Sequence, residues 1–241
     1  MLRCRPVFRS PRSGPALGFL GFLAWIVIAT GLVHAAPLPS DLMDTLAHFH
    51  PAGPKGWSFL QTTESAGQSL VEYFDAIQPA NERWSLRQKN GRPPTKEELA
   101  DYSQGQALNS ATFTAPRIQD QIDLTTAVLV RRDDTRSVWR FQMKPSDDDK
   151  TSRYMTVTVT YHQPTHTIEQ VEIANLEPFS PVLAVKISET RTVMTYSLPS
   201  AESPSQLQRV TLLVRGQAFW FKTLDQDMTV TFSGHVWAGK K

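Results

Sequence analysis

Six histidines, one cysteine and a run of three aspartates are the side chains of this 241-residue chain with the plainest capacity for chemistry. His162 and His166 flank Gln163-Pro164-Thr165, a turn that could bring two imidazoles together across neighbouring strands, as a zinc or copper site begins. Two ligands do not complete such a site, and no carboxylate of diagnostic spacing accompanies them, so exposed turn histidines are expected. His48 and His50 fall where a short helix ends, and imidazoles there satisfy late carbonyls and suit the helix dipole. Asp147-Asp148-Asp149 lacks the alternating oxygens, central glycine and distant glutamate of a calcium loop, and reads as a solvated turn. No G-x-S-x-G sets a serine on a nucleophile elbow. No catalytic residue, metal or cofactor is assigned on these grounds, and enzymatic activity ranks last among the readings.

A second set of residues is apolar and spaced by two. Trp57, Phe59, Trp139, Phe141, Met155, Val157, Val159, Tyr161, Trp220 and Met228 lie on segments that alternate as half-buried strands do. Trp57, Phe59, Trp139, Phe141, Val157, Val159 and Trp220 are the candidates to line a cavity for an acyl chain. The competing reading is a solid core, in which the same rings fill volume. A third set, Arg92, Thr95, Leu99 and Tyr102, belongs to a helix that would serve as a lid or docking surface.

The elements that must position these residues are mostly strands. Ser40 can cap a helix in which Asp41 suits the dipole and Leu42, Leu46 and Phe49 share a face. Trp57 to Phe59 and Leu70 to Phe74 form a hairpin across Glu64 to Gly67, and Arg83 to Gln88 is a strand closed by Asn90-Gly91. Pro93-Pro94 then precede a capping box, Thr95 with Glu98, and a helix to about Leu108. Strands are expected at 126–132, 137–143, 155–161, 167–173, 182–188, 190–198, 207–215, 217–222 and 228–236, with Gly216 and Asp225-Gln226-Asp227 as breaks. Short connections imply antiparallel neighbours. The fold class is therefore mainly β with a few helices: a strongly curved antiparallel sheet of about ten to eleven strands, an incomplete barrel lidded by helices of the N-terminal half.

The first 35 residues set the expected compartment. Arg3, Arg5, Arg9 and Arg12 precede an uncharged apolar run from Ala16 to Val33, closed by Val33-His34-Ala35 before Ala36-Pro37. That is the layout of a secretory signal with cleavage between Ala35 and Ala36, leaving 36–241 as one periplasmic or secreted domain. An uncleaved inner-membrane anchor is the alternative, since the run is near the lower limit for a span. Cys4, the only cysteine, leaves with the signal, so disulfide and thiolate chemistry leave too. No cysteine follows the run, which excludes a lipid on the mature N-terminus. The segment holds four of the 25 basic residues and none of the 23 acidic ones, so the remainder is mildly acidic and offers no footprint for nucleic acid.

This arrangement resembles the periplasmic carriers and receptors of outer-membrane lipoproteins. Those proteins have an N-terminal helix, an open antiparallel barrel of about eleven strands, and helices over an apolar cavity. A closer similarity, over one short stretch, is to exported bacterial proteins with an R-W-x-L…N-G-x-x-P-T-x-x-E-L pattern, here Arg83-Trp84-Ser85-Leu86, Asn90-Gly91-Arg92-Pro93-Pro94-Thr95 and Glu98-Leu99. The carriers hook an arginine of an early strand over the lid, and no arginine here is assigned that role. The resemblance implies a non-catalytic exported protein that binds a lipid, an acyl chain or another apolar ligand in a barrel cavity, as in lipid or lipoprotein trafficking, with a lipid or acylated protein as partner and transient contact with the membrane. The alternative is a solid-cored module that docks another envelope protein through its rim or a strand edge.

Overall fold

The computed structural model describes residues 37–109, 117–146, 151–219 and 221–239, all within one compact unit, His34–Lys241. Ala35, Ala36, Asp147 to Asp149 and Trp220 lie outside the described residues. Ten described strands form one antiparallel sheet: β1 (Trp57–Ser65), β2 (Gln68–Phe74), β3 (Trp84–Lys89), β4 (Ile122–Arg132), β5 (Arg136–Met143), β6 (Met155–His162), β7 (Thr167–Asn175), β8 (Val185–Tyr196), β9 (Leu207–Ala218) and β10 (Lys222–Trp237). Their order is β3-β2-β1-β10-β9-β8-β7-β6-β5-β4. The sheet is not closed, since β3 and β4 are its two edges, and the expected mainly β, incomplete barrel is what forms. Helices α1 (Ser40–His48), α2 (Lys96–Asn109) and α3 (Ile118–Gln121) and a 3-10 turn (Ser152–Tyr154) complete the described elements, and no helix is long and apolar enough to cross a membrane.

Directly paired residues share a face, so the register places Leu129, Trp139, Val159, Val171, Met194, Val210, Val230, Thr63 and Leu70 in one row across nine strands. The main core cluster fills the β4–β8 part of that face. Trp139, Phe141, Val157, Val159, Tyr161, Ile168 and Val171 pack there with Leu42 and Leu46 of α1 and with Ile118 and Ile122 beside α3. Leu42 and Leu46 stand one turn apart, which is why a nine-residue helix can insert both into one core.

Several expected boundaries shift. Ser40 is the first helical residue and Pro39 the N-cap, so no side chain caps α1. The two strands expected at 182–188 and 190–198 are one shorter strand, β8, over 185–196, with register shifts between Ile187 and Glu189 and between Thr195 and Tyr196. Residues 217–222 are not one strand: Gln217 and Ala218 end β9, and Lys222 begins β10. Gly216 and Asp225-Gln226-Asp227, expected as breaks, sit inside paired strands. Gly216 is there for space: a Cβ would lie 2.4 Å from the Lys186 carbonyl oxygen of β8.

Candidate functional site

At the end of the sheet where β6 turns into β7, an open groove of about 600 Å³ runs between α1, that turn and the connection from β8 to β9. Its apolar floor is Phe49, Ile168 and Tyr196; its rim carries Asp41, Asp44, His48, His50 and His166. The Phe49 and Tyr196 rings meet edge to face at 5.0 Å, and the Tyr196 hydroxyl donates to the Pro51 carbonyl at 3.0 Å. Burial pushes the Tyr196 phenol above its ordinary pKa, so it stays a donor.

One wall is a polar cluster. The Tyr161 hydroxyl donates to Asp41 Oδ2 at 2.9 Å and contacts His166 Nδ1 at 2.7 Å, while His166 Nδ1 lies 3.3 Å from the same carboxylate oxygen. Thr45 Oγ1 also donates to the His166 carbonyl at 3.2 Å. His166 has φ +51°, a left-handed conformation uncommon for a residue with a Cβ, and this cluster holds it there. Burial, then the bond to Asp41, pushes the Tyr161 phenol up to about 12. Burial raises Asp41, yet the bonds from Tyr161 and the backbone, with the His166 charge, outweigh it and leave this carboxyl below its ordinary pKa. A phenol held neutral beside a carboxylate held ionised is a poor base pair for proton transfer and a good clamp between α1 and the β6–β7 turn.

His166 is an exposed turn histidine, as expected, and its ring also joins the clamp. His162 Nδ1 meets Thr165 Oγ1 at 2.7 Å within the turn, so the two imidazoles make separate contacts. His48 Nδ1 donates to the Asp44 carbonyl one turn back, at 2.8 Å, as its place at the helix end predicts. Among the described residues, no group of three or more His, Cys, Asp or Glu converges to hold a metal ion.

The apolar candidates divide into two sets. Trp139, Phe141, Val157 and Val159 are fully buried in the core beneath α1 and do not line the groove. Trp57 and Phe59 lie on the other part of the sheet, where Phe59, Phe74, Trp84 and Phe232 form an aromatic cluster with centroids 5.0 to 5.9 Å apart. There Trp57 and Phe59 border a void of about 20 Å³ with Gln206, Leu207 and His235, room for about one water. Burial holds the His235 imidazole below its ordinary pKa.

The lid candidates form the start of α2. Thr95 Oγ1 accepts from the Glu98 amide at 3.2 Å, and Glu98 Oε2 accepts from the Thr95 amide at 2.9 Å, the expected capping box. Arg92 grips Glu98 with two bonds, at 2.8 and 2.9 Å, and Lys89 adds a contact at 3.3 Å. The Arg92 bonds, then the Thr95 amide, lower the Glu98 carboxyl to about 2. Leu99 is exposed, whereas the Tyr102 hydroxyl donates to Glu72 Oε1 at 2.7 Å. Glu72 is buried and also accepts from Gln61 Nε2 at 3.0 Å. This second helix therefore meets the β1–β3 part of the sheet through Tyr102 on Glu72 and Glu98 on Lys89, with its entry locked by Arg92.

Sequence reasoning found neither the groove nor the clamp. Asp41 and Tyr161 are 120 residues apart, and only the seating of α1 unites them. In comparisons with known proteins, the chain matches no family model, no curated protein and no solved structure.

Proposed function

We propose that this is an exported, non-catalytic binding protein that holds an amphipathic ligand, a lipid, acyl chain or acylated protein, in the groove beside α1. The observation that carries the reading is the groove itself. Its volume of about 600 Å³ is within the range of small-molecule sites, and it pairs an apolar floor with a polar rim. An acyl segment laid on Phe49, Ile168 and Tyr196 would gain about 25 cal/mol for each Å² removed from water. The rim histidines and aspartates would then hydrogen-bond the polar end. Export is supported by the arginine-rich start, the apolar run and the small residues at Ala35-Ala36.

A second reading, a docking module for another envelope protein, draws support from the sheet edges. Among the described strands, β3 and β4 each have one partner only, which leaves backbone groups able to accept a further strand.

Protein purified from a bacterial periplasm and examined by native mass spectrometry is expected to carry a lipid-sized adduct, and to bind a fluorescent fatty acid. Ser205→Trp, which fills the groove from its rim, should weaken that binding about tenfold or more without changing the melting temperature. An adduct-free protein that ignores the fatty acid, or a Ser205→Trp variant that binds as the parent does, would overturn the ligand reading.

A further inference from the structure

At the end of the sheet opposite the groove, three strands run on past their neighbours. On β10, pairing with β1 begins at Met228, and Lys222 to Asp227 pair with β9 alone. On β8, pairing with β7 begins at Arg191, and Val185 to Glu189 have β9 as their one partner strand, with a single bridge from Ile187 to Phe179 of the preceding loop. Strands β8, β9 and β10 thus form an arm that projects by about six residues, or about 20 Å. Gly216 lets the arm close up, since any larger residue would meet the β8 backbone.

The tip of this arm is apolar and bare. Leu183 is 98% exposed, Phe221 86%, Val182 61% and Phe219 58%, and the two phenylalanine rings stand 6.5 Å apart. Trp220 lies between them in the sequence. The two loops of the tip are tied together: the Phe219 amide donates to the Ala184 carbonyl at 2.7 Å, and both residues have left-handed φ, +51° and +65°. Two bonds between Phe179 and Ile187, and the stacking of Phe179 on Tyr154 at 5.2 Å, fasten the outer loop to the body. The side chains are therefore presented outward on a braced support, and no packing among the described residues accounts for them.

Charge is graded along the arm. Near its base, Arg215 pairs with Asp227 at 2.7 Å and approaches Asp225 at 4.0 Å. Just behind the tip, Lys186 and Lys222 are exposed and make no ion pair among the described residues. Glu177 is the acid of the outer loop. Aromatic and aliphatic side chains ahead of a lysine collar match the interface of an anionic bilayer, where rings sit at headgroup depth and lysines reach phosphate. We infer that the β8–β10 arm is a membrane-docking device that inserts Val182, Leu183, Phe219 and Phe221 into the surface of an anionic lipid bilayer, with Lys186 and Lys222 on the headgroups.

The test attaches an environment-sensitive fluorophore to the full chain at Leu183→Cys in a Cys4→Ser background. Vesicles of phosphatidylcholine with phosphatidylglycerol should shift its emission to the blue; the same label at Asp134→Cys, at the far end of the sheet, should not respond. Lys186→Glu with Lys222→Glu should weaken the partitioning about fivefold per lysine and remove its salt dependence. Phe221→Glu should abolish the shift while the circular dichroism melt stays that of the parent, because the residue is nearly free of contacts. An unshifted label overturns the inference. So does an equal response to phosphatidylcholine alone, or a shift that appears without vesicles as the protein concentration rises, which would assign the tip to a second copy of the chain.

Discussion

At the scale of single residues, the clamp of Asp41, Tyr161 and His166 is the contact with the clearest consequences for stability. Tyr161→Phe removes the bonds to both partners and is expected to cost about 1 kcal/mol at neutral pH, read from urea unfolding. The same variant tests the pH response. Asp41 has a lowered pKa in the folded chain, so its contribution is present above the ordinary carboxylate pKa and is lost as pH falls through the folded value. Tyr161 is raised to about 12, so its contribution is complete below about pH 10 and fades between there and 12. Both slopes should flatten in Tyr161→Phe, and unchanged slopes would show that the clamp does no work. Nothing in the sequence marks this trio. Tyr161 was legible as an inward strand residue and Asp41 as a helix-dipole residue, each for a local reason, while their meeting depends on how α1 sits in the sheet.

At the scale of elements, the legible parts were those whose signal is local. Met155 to Tyr161 alternates strictly and is β6; Asn90-Gly91, at φ +50° and +75°, closes the hairpin into which Arg92 bonds; Thr95 and Glu98 form their box. The misread parts were those where a partner strand overrides local chemistry. Asp225 and Asp227 look like a turn, but β9 pairs with them and Arg215 neutralises them. Gly216 looks like a break, but it is a residue without a side chain facing the β8 backbone. Gly216→Ala is therefore expected to lose about 1 to 3 kcal/mol of stability in a denaturant titration, since strand propensity alone would favour alanine. A neutral or stabilised Gly216→Ala would refute this account of the arm.

At the scale of the whole sheet, stability is unevenly spread. Trp139 lies in the filled part, and Trp139→Ala should cost about 3 to 5 kcal/mol. Val210 is in the same cross-strand row but only half-buried, and Val210→Ala should cost about 1 kcal/mol or less by thermal or urea unfolding. Equal costs would mean that the core extends under all ten strands. The strand order carries one more consequence, in time rather than energy. Trp57 pairs with Trp237, so β1, first of the strands in sequence, finds its outer neighbour in β10, the last. Closing that loop spans nearly all the described residues, a slow and strongly non-local step. A chain emerging N-terminus first, from a ribosome or a membrane pore, carries β1, β2 and β3 without that neighbour until residues 222–237 follow. The β1–β3 unit is thus the part that waits, exposing its strand edge to chaperones until the final strand arrives.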